Sequence, residues 1–130
     1  MRFLGIDYGG KRVGIALSDE EGNMAFPKCV LSNYPSLLER VTDIAREEGV
    51  GAFVIGESKD LNGKENPIME DIRTFAKLLE EQMGLPVHFE PEAFTSAHAR
   101  REEADPKLRD ASAAALILNG FLARRGDVAR

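Results

Sequence analysis

The chain has 130 residues, of which 43% are hydrophobic and 30% charged, and this is typical of one soluble globular domain large enough to bury a core. No apolar run approaches the roughly 20 residues that span a bilayer, and the N-terminus is too polar for a signal peptide. The net charge of −5 argues against a protein that coats nucleic acid non-specifically, but not against an enzyme that acts on nucleic acid. The single cysteine, Cys29, excludes an internal disulfide framework and is expected in the core of a cytoplasmic protein.

The first 18 residues predict a β-hairpin with a glycine-rich turn. Apolar residues precede Asp7 and resume at Val13, with Gly9 and Gly10 between the two runs. Burying an unpaired carboxylate at the end of a strand costs free energy, so Asp7 is expected to have a specific role. Glycines let the backbone approach a phosphate, and an adjacent Asp can hold a divalent metal that meets that phosphate. The alternative is that Asp7 caps the turn and the glycines serve hairpin geometry.

The rest of the chain predicts alternating strands and helices. A third strand contains Pro27, which marks an edge position or a bulge. The order is then β-β-β-α-β-α-β-α-α. After the hairpin the predicted elements are a strand at 24–32, a helix at 36–48, a strand at 52–56, a helix at 68–83, a strand at 87–90, a short helix at 95–103 and an apolar helix at 110–125.

This order predicts a single α/β domain at 1–125 with a short tail at 126–130. A three-stranded antiparallel meander joins parallel strands in a mixed central sheet, with helices on both faces. Functional groups collect at the carboxyl ends of parallel strands, where Asp7, Glu57 and Glu92 are expected, while Asp110 opens the last helix. Acids gathered in this way can bind Mg²⁺ or Mn²⁺ and support phosphodiester hydrolysis by water.

Four segments, in order and spacing, resemble the YqgF (RuvX) family of small bacterial proteins. They are Asp-Tyr-Gly-Gly-Lys-Arg-Val-Gly-Ile-Ala at 7–16, Val-Ile-Gly at 54–56 followed by Asp-Leu-Asn-Gly-Lys-Glu at 60–65, Pro-Glu-Ala-Phe-Thr-Ser-Ala-His-Ala-Arg at 91–100, and Asp-Ala-Ser-Ala-Ala-Ala at 110–115. The resemblance implies an RNase H-like fold related to the RuvC resolvases. It also implies a metal-dependent endo- or exonuclease that matures the 5′ end of the small-subunit ribosomal RNA precursor.

The resemblance also implies a site. The family's three acids fall on Asp7, Glu92 and Asp110, which become the expected catalytic residues and ligands of Mg²⁺ or Mn²⁺. Position 110 at the start of a helix also suits an N-cap, so that alternative stays open. Lys11 and Arg100 match motif positions and are expected, with the two turn glycines Gly9 and Gly10, to contact substrate phosphates.

Two departures from the family pattern affect this site. The usual Asp-Glu-Arg reads Pro91-Glu92-Ala93, which removes one acceptor and one cation, and the usual Gly-Leu-Pro reads Gly-Glu-Ser. Glu57 is therefore a hypothetical fourth metal ligand that compensates for position 91. The alternative is a solvated Glu57, or one paired with Lys59 or Lys64.

Other functions remain open at this point. The same site could cleave four-way DNA junctions, which requires a dimer for symmetric cuts, or could be a degenerate site that only binds nucleic acid. The hairpin also resembles the phosphate loop of actin, Hsp70 and sugar kinases, although those proteins need a second domain to enclose ATP. The expected partners are structured RNA, ribosomal particles and branched DNA, bound by a monomer or weak homodimer. His88 and His98 are expected to pack rather than to catalyse.

Overall fold

The computed structural model of the chain describes residues 1–58, 66–91 and 106–129. The short helix expected at 95–103 lies outside these ranges. The described elements, in chain order, are β1 (Arg2–Tyr8), β2 (Arg12–Ser18), β3 (Ala25–Ser32), α1 (Leu37–Glu47), β4 (Val50–Glu57), α2 (Ile68–Met83), β5 (Val87–Pro91) and α3 (Pro106–Ala129).

The strands form one five-stranded sheet in the order β3-β2-β1-β4-β5. The first three strands are antiparallel neighbours, whereas β4 runs parallel to both β1 and β5. Pro27 lies on the edge strand β3, where the register with β2 shifts between Ile15 and Ala16, so both expectations for this proline are confirmed. The predicted mixed sheet is also confirmed, and β1, β4 and β5 end at the same edge.

Two apolar cores cover the two faces of the sheet. Side chains alternate along a strand, so Leu4 and Ile6 pack on the face covered by α1 and α2, while Phe3 packs on the face covered by α3. By the same alternation Asp7 belongs to the α3 face, at the carboxyl end of β1. The alternation of side chains along β1 therefore places the charged residue Asp7 on the side of the sheet that faces α3.

Helix α3 lies unusually close to the sheet. Its inward residues are mostly alanine, among them Ala111 and Ala114, which are buried. Opposite them, a Cβ added to Gly5 would be 2.9 Å from Cβ of Leu118 and 3.1 Å from the carbonyl oxygen of Ala114, so a larger residue would force the helix or its side chains to shift. Asn119 links the helix to the start of β3, because its side-chain amide donates to the carbonyl of Ala25 and accepts from the Ala25 N–H.

The expected start of the last helix is wrong by one turn. Helix α3 begins at Pro106, a residue suited to the first turn because that position needs no N–H donor. Asp110 therefore lies within the helix, and the alternative that it is an N-cap is excluded. At its other end α3 continues to Ala129, through the segment expected to be a tail. In the described part of the chain, neither this helix nor any other has the length and apolar character needed to cross a membrane.

Candidate active site

The contact between β2 and α3 brings two acids together. Asp7 is 5% exposed, and its register partner on β2 is Gly14. The backbone of α3 rests directly on Gly14, because any Cβ there would overlap the carbonyl oxygen of Asp110. Asp7 and Asp110, which are far apart in the sequence, thus become neighbours at one end of the sheet.

These acids line an open pocket of about 290 Å³ at the carboxyl end of β1. The described lining consists of Asp7, Gly9, Gly10, Lys11, Arg12, Arg109 and Asp110. The structure therefore brings together the predicted residues Asp7, Gly9, Gly10, Lys11 and Asp110. Among the described lining residues three are cations and two are carboxylates, so this part of the pocket wall carries a net positive charge although the chain as a whole is acidic. Such a pocket attracts phosphate groups.

One of these cations is paired with one of the acids. The Nε atom of Arg12 donates to Oδ2 of Asp110 over 2.8 Å. The side chain of Asp110 is 15% exposed, whereas that of Arg12 is 48% exposed. The carboxylate is therefore mostly buried, whereas about half of the Arg12 side chain faces solvent.

Asn33 fixes the glycine-rich turn, and sequence reasoning missed it. Its side-chain amide donates to the carbonyl of Gly9 over 2.8 Å, and its backbone N–H donates to the carbonyl of Lys11 over 2.9 Å. A Cβ on Gly9 would be 2.5 Å from the carbonyl oxygen of Arg12, which explains the glycine. The position of Asn33 could have indicated this role, because it directly follows Ser32, the residue of β3 that pairs with Arg12 at the end of the turn. Arg109 was also missed, because it precedes the helix start that was expected.

The remaining predicted residues divide into two groups. Glu57 is half-buried at the end of β4, and its register partner on β5 is Pro91, but it is not among the described residues that line the pocket. Glu92 and Arg100 lie outside the described residues, as do Lys59, Lys64 and His98, so their roles stay predictions. Among described residues alone, no group of three or more His, Cys, Asp or Glu side chains is placed to hold a metal ion.

His88 and Cys29, which were expected to pack against other residues rather than to catalyse, both make packing contacts. The ring of His88 lies 5.1 Å from that of Phe121, on the α3 face and towards the opposite end of the sheet from Asp7. Cys29 is half-buried against the core on the other face, and burial raises the pKa of its thiol. A thiol of raised pKa is a poor nucleophile at neutral pH.

A mixed sheet of this order, with carboxylates and cations lining a pocket at the carboxyl end of its central strand, is the arrangement of an RNase H-like α/β fold. A family model described as RuvX, Holliday junction resolvase, matches residues 1–124. The chain belongs to the RuvX family, as its four sequence segments predicted.

Curated relatives and solved structures agree with this assignment. A Limosilactobacillus fermentum protein named "Putative pre-16S rRNA nuclease" is 38% identical over 94% of this chain and 93% of its own length. A Moorella thermoacetica protein of the same name is also 38% identical, over 97% of each chain. The family and these names confirm the prediction of a nuclease.

Structural similarity extends to proteins of low sequence identity and supports the fold. Thermus thermophilus RuvC, in complex with a Holliday junction substrate, matches with a TM-score of 0.62 at 19% identity over 97% of both chains. The Fowlpox virus resolvase, in complex with Holliday junction DNA, matches with a TM-score of 0.63 at 11% identity over 96% of this chain and 99% of the resolvase.

Proposed function

We propose that this nuclease is a divalent-metal-dependent phosphodiesterase that matures the 5′ end of pre-16S ribosomal RNA in the cytoplasm. One observation carries the proposal: Asp7 and Asp110, from a strand and a helix, line one pocket together with three cations. Two carboxylates in one pocket suit a metal ion, and the cations on the same pocket wall suit a phosphate backbone. The names of the curated relatives support ribosomal RNA as the substrate.

The donor set fits Mg²⁺ or Mn²⁺. Both ions prefer carboxylate oxygens, which Asp7 and Asp110 provide in the pocket. Asp7 and Asp110 would hold the ion together with Glu92, and Glu57 is proposed as a further ligand because it lies beside position 91, where the family's Asp is replaced by proline. When bound, the ion polarises the phosphoryl oxygen and lowers the pKa of a bound water.

The chain's own residues position the substrate. The turn at Gly9 and Gly10 lets the backbone approach a phosphate, and Asn33 holds that turn in a single shape. Lys11 and Arg109 contribute positive charge on the pocket wall, and Arg100 is proposed to add a contact. Because a water molecule attacks the phosphorus, these residues orient the phosphodiester and none of them forms a covalent intermediate.

Cleavage of four-way DNA junctions is the second candidate. The family model's description and the similarity of fold to resolvases bound to junction DNA favour it. Symmetric cutting of a junction requires two sites, so this candidate needs a homodimer. Precursor processing can be carried out by a monomer or weak homodimer, acting on ribosomal particles or on free RNA.

The test is cleavage of a labelled precursor 5′ end beside a four-way DNA junction and an unstructured RNA, with Mn²⁺ or with EDTA. We expect wild-type protein to cut the precursor only with metal, and Asp7→Asn to reduce the rate at least about 100-fold, since even the loss of a group that orients a metal ligand costs 10- to 100-fold. Asp43→Asn, at an exposed acid on α1, is the matched control and should keep full activity. Preferential cutting of the junction would support the second candidate, and no cutting of any substrate by folded protein would indicate a degenerate site.

A further inference from the structure

The ion pair between Arg12 and Asp110 joins two residues whose backbones are both held in place. The carbonyl of Asp110 lies against Gly14, and the carbonyl of Arg12 lies against Gly9, in a turn tied down by Asn33. The side chain of Arg12 is 48% exposed and reaches Asp110 from the first position of β2, so solvent on one side leaves it room to turn. The pair therefore joins a mostly buried carboxylate to a half-exposed cation.

This cation lies on one of the two carboxylate oxygens through which Asp110 would bind a metal ion. Nε of Arg12 is 2.8 Å from Oδ2 of Asp110, and a divalent ion bound to that carboxylate would have its own ligand oxygens at about 2.0–2.6 Å. Two cations so close repel each other, and arginine cannot relieve the repulsion by losing its proton. Either the metal binds more weakly or the guanidinium leaves.

We propose that Arg12 is an exchangeable counter-ion for Asp110. Without metal it neutralises the carboxylate and holds it in its binding position. When a divalent ion takes over the carboxylate, the guanidinium turns into the adjoining pocket and binds a substrate phosphate, for which its fork of donors is suited. Arg12 is thus a positioning residue that makes phosphate binding depend on metal binding. This inference rests on the proposed function, since it assumes that Asp110 is a metal ligand.

If Arg12 exchanges in this way, its removal should strengthen the binding of metal and weaken the binding of RNA, and these two effects distinguish the exchange from a fixed ion pair. Arg12→Gln removes a competitor of the metal, so the Kd for Mn²⁺, measured by calorimetry without RNA, should fall about three- to fivefold, the range that a partly exposed ion pair supports. Lys11→Gln is the matched control, because it removes the same charge from the same pocket, whereas the ion pair to Asp110 is made by Arg12. It should change the Kd for Mn²⁺ less than twofold.

The second measurement is the affinity for a short RNA, with EDTA or with Ca²⁺, and with a gel to check that the RNA stays intact. Arg12→Gln should weaken RNA binding more in Ca²⁺ than in EDTA, because only the metal-bound protein has released the guanidinium. Lys11→Gln should weaken it equally in both. Thermal unfolding would verify that each variant is folded.

Unchanged or weaker Mn²⁺ binding by folded Arg12→Gln would overturn the proposal and identify a permanent ion pair. An equal loss of RNA affinity in both buffers would also overturn it. Failure of the proposed function would look different. In that case the wild-type protein would not bind Mn²⁺, or its Mn²⁺ binding would survive Asp7→Asn and Asp110→Asn.

Discussion

Gly14 of β2 is in backbone contact with Asp110 of α3, with no room between them for even a methyl group. The same glycine is the register partner of Asp7, so one residue sets the spacing between the two acids of the site. The separation of the carboxylates therefore depends on how closely the helix approaches the sheet.

Gly14→Ala should push α3 away from the sheet. The obstacle is backbone, which cannot rotate away as a side chain can, so we expect the free energy of unfolding to fall by about 3 kcal/mol, the upper end of the cost of overpacking. Affinity for Mn²⁺ should fall as well, because Asp7 and Asp110 move apart. Chemical denaturation and calorimetry measure the two effects.

Gly10→Ala is the matched control for stability. It lies in the neighbouring turn, and a Cβ there would meet nothing within 4 Å, so its free energy of unfolding should stay within about 0.5 kcal/mol of wild type. A Gly14→Ala protein as stable as Gly10→Ala would contradict the close packing described here.

Glu57→Gln tests the proposed additional ligand. If the carboxylate binds metal, the loss of its charge should weaken Mn²⁺ binding about tenfold while the fold is preserved. Glu70→Gln, at an exposed acid in the first turn of α2, is the control and should leave Mn²⁺ affinity unchanged. Equal affinities of the two variants would remove Glu57 from the site and favour its solvated or lysine-paired alternative.

Asn33→Ala should loosen the glycine-rich turn. The variant keeps the backbone bond to Lys11 but loses the side-chain bond to Gly9, which is worth about 1 kcal/mol. We expect faster amide hydrogen exchange at residues 9–12 and weaker RNA binding. Asn23→Ala serves as the control, since that side chain bonds only to exposed Glu21 as far as the described contacts go. If exchange in the turn were the same in both variants, Asn33 would have no role in holding it.

Glu90 and Arg124 form an ion pair that couples β5 to the last turns of α3. The carboxylate is 9% exposed and accepts from Nη2 of Arg124. Arg124→Leu should therefore lower the free energy of unfolding by about 2 kcal/mol, because it leaves a nearly buried charge without this partner. In the double variant with Glu90→Leu much of the loss should be recovered, as urea denaturation can show. A double variant less stable than Arg124→Leu would indicate that Glu90 has a further partner.

Much of this molecule follows from local patterns in the sequence. Alternating apolar residues define β1 and β2, a period near 3.6 defines α1 and α2, and Pro27 marks the edge strand. These predictions succeed because each depends on residues only a few positions apart. Four motifs in order were enough to predict the family, which the match over residues 1–124 confirms.

The details of the site depend on contacts that no local pattern encodes. Arg12 and Asp110 are 98 positions apart, and their ion pair exists because Gly14 lets α3 lie against the sheet. The start of α3 at Pro106 was not predicted, because a proline is as typical of a break between two helices as of the first turn of a helix. The sequence by itself determined the fold class and the family and predicted the acids of the site, whereas only tertiary packing decided which cation neutralises Asp110 and which side chain holds the glycine-rich turn.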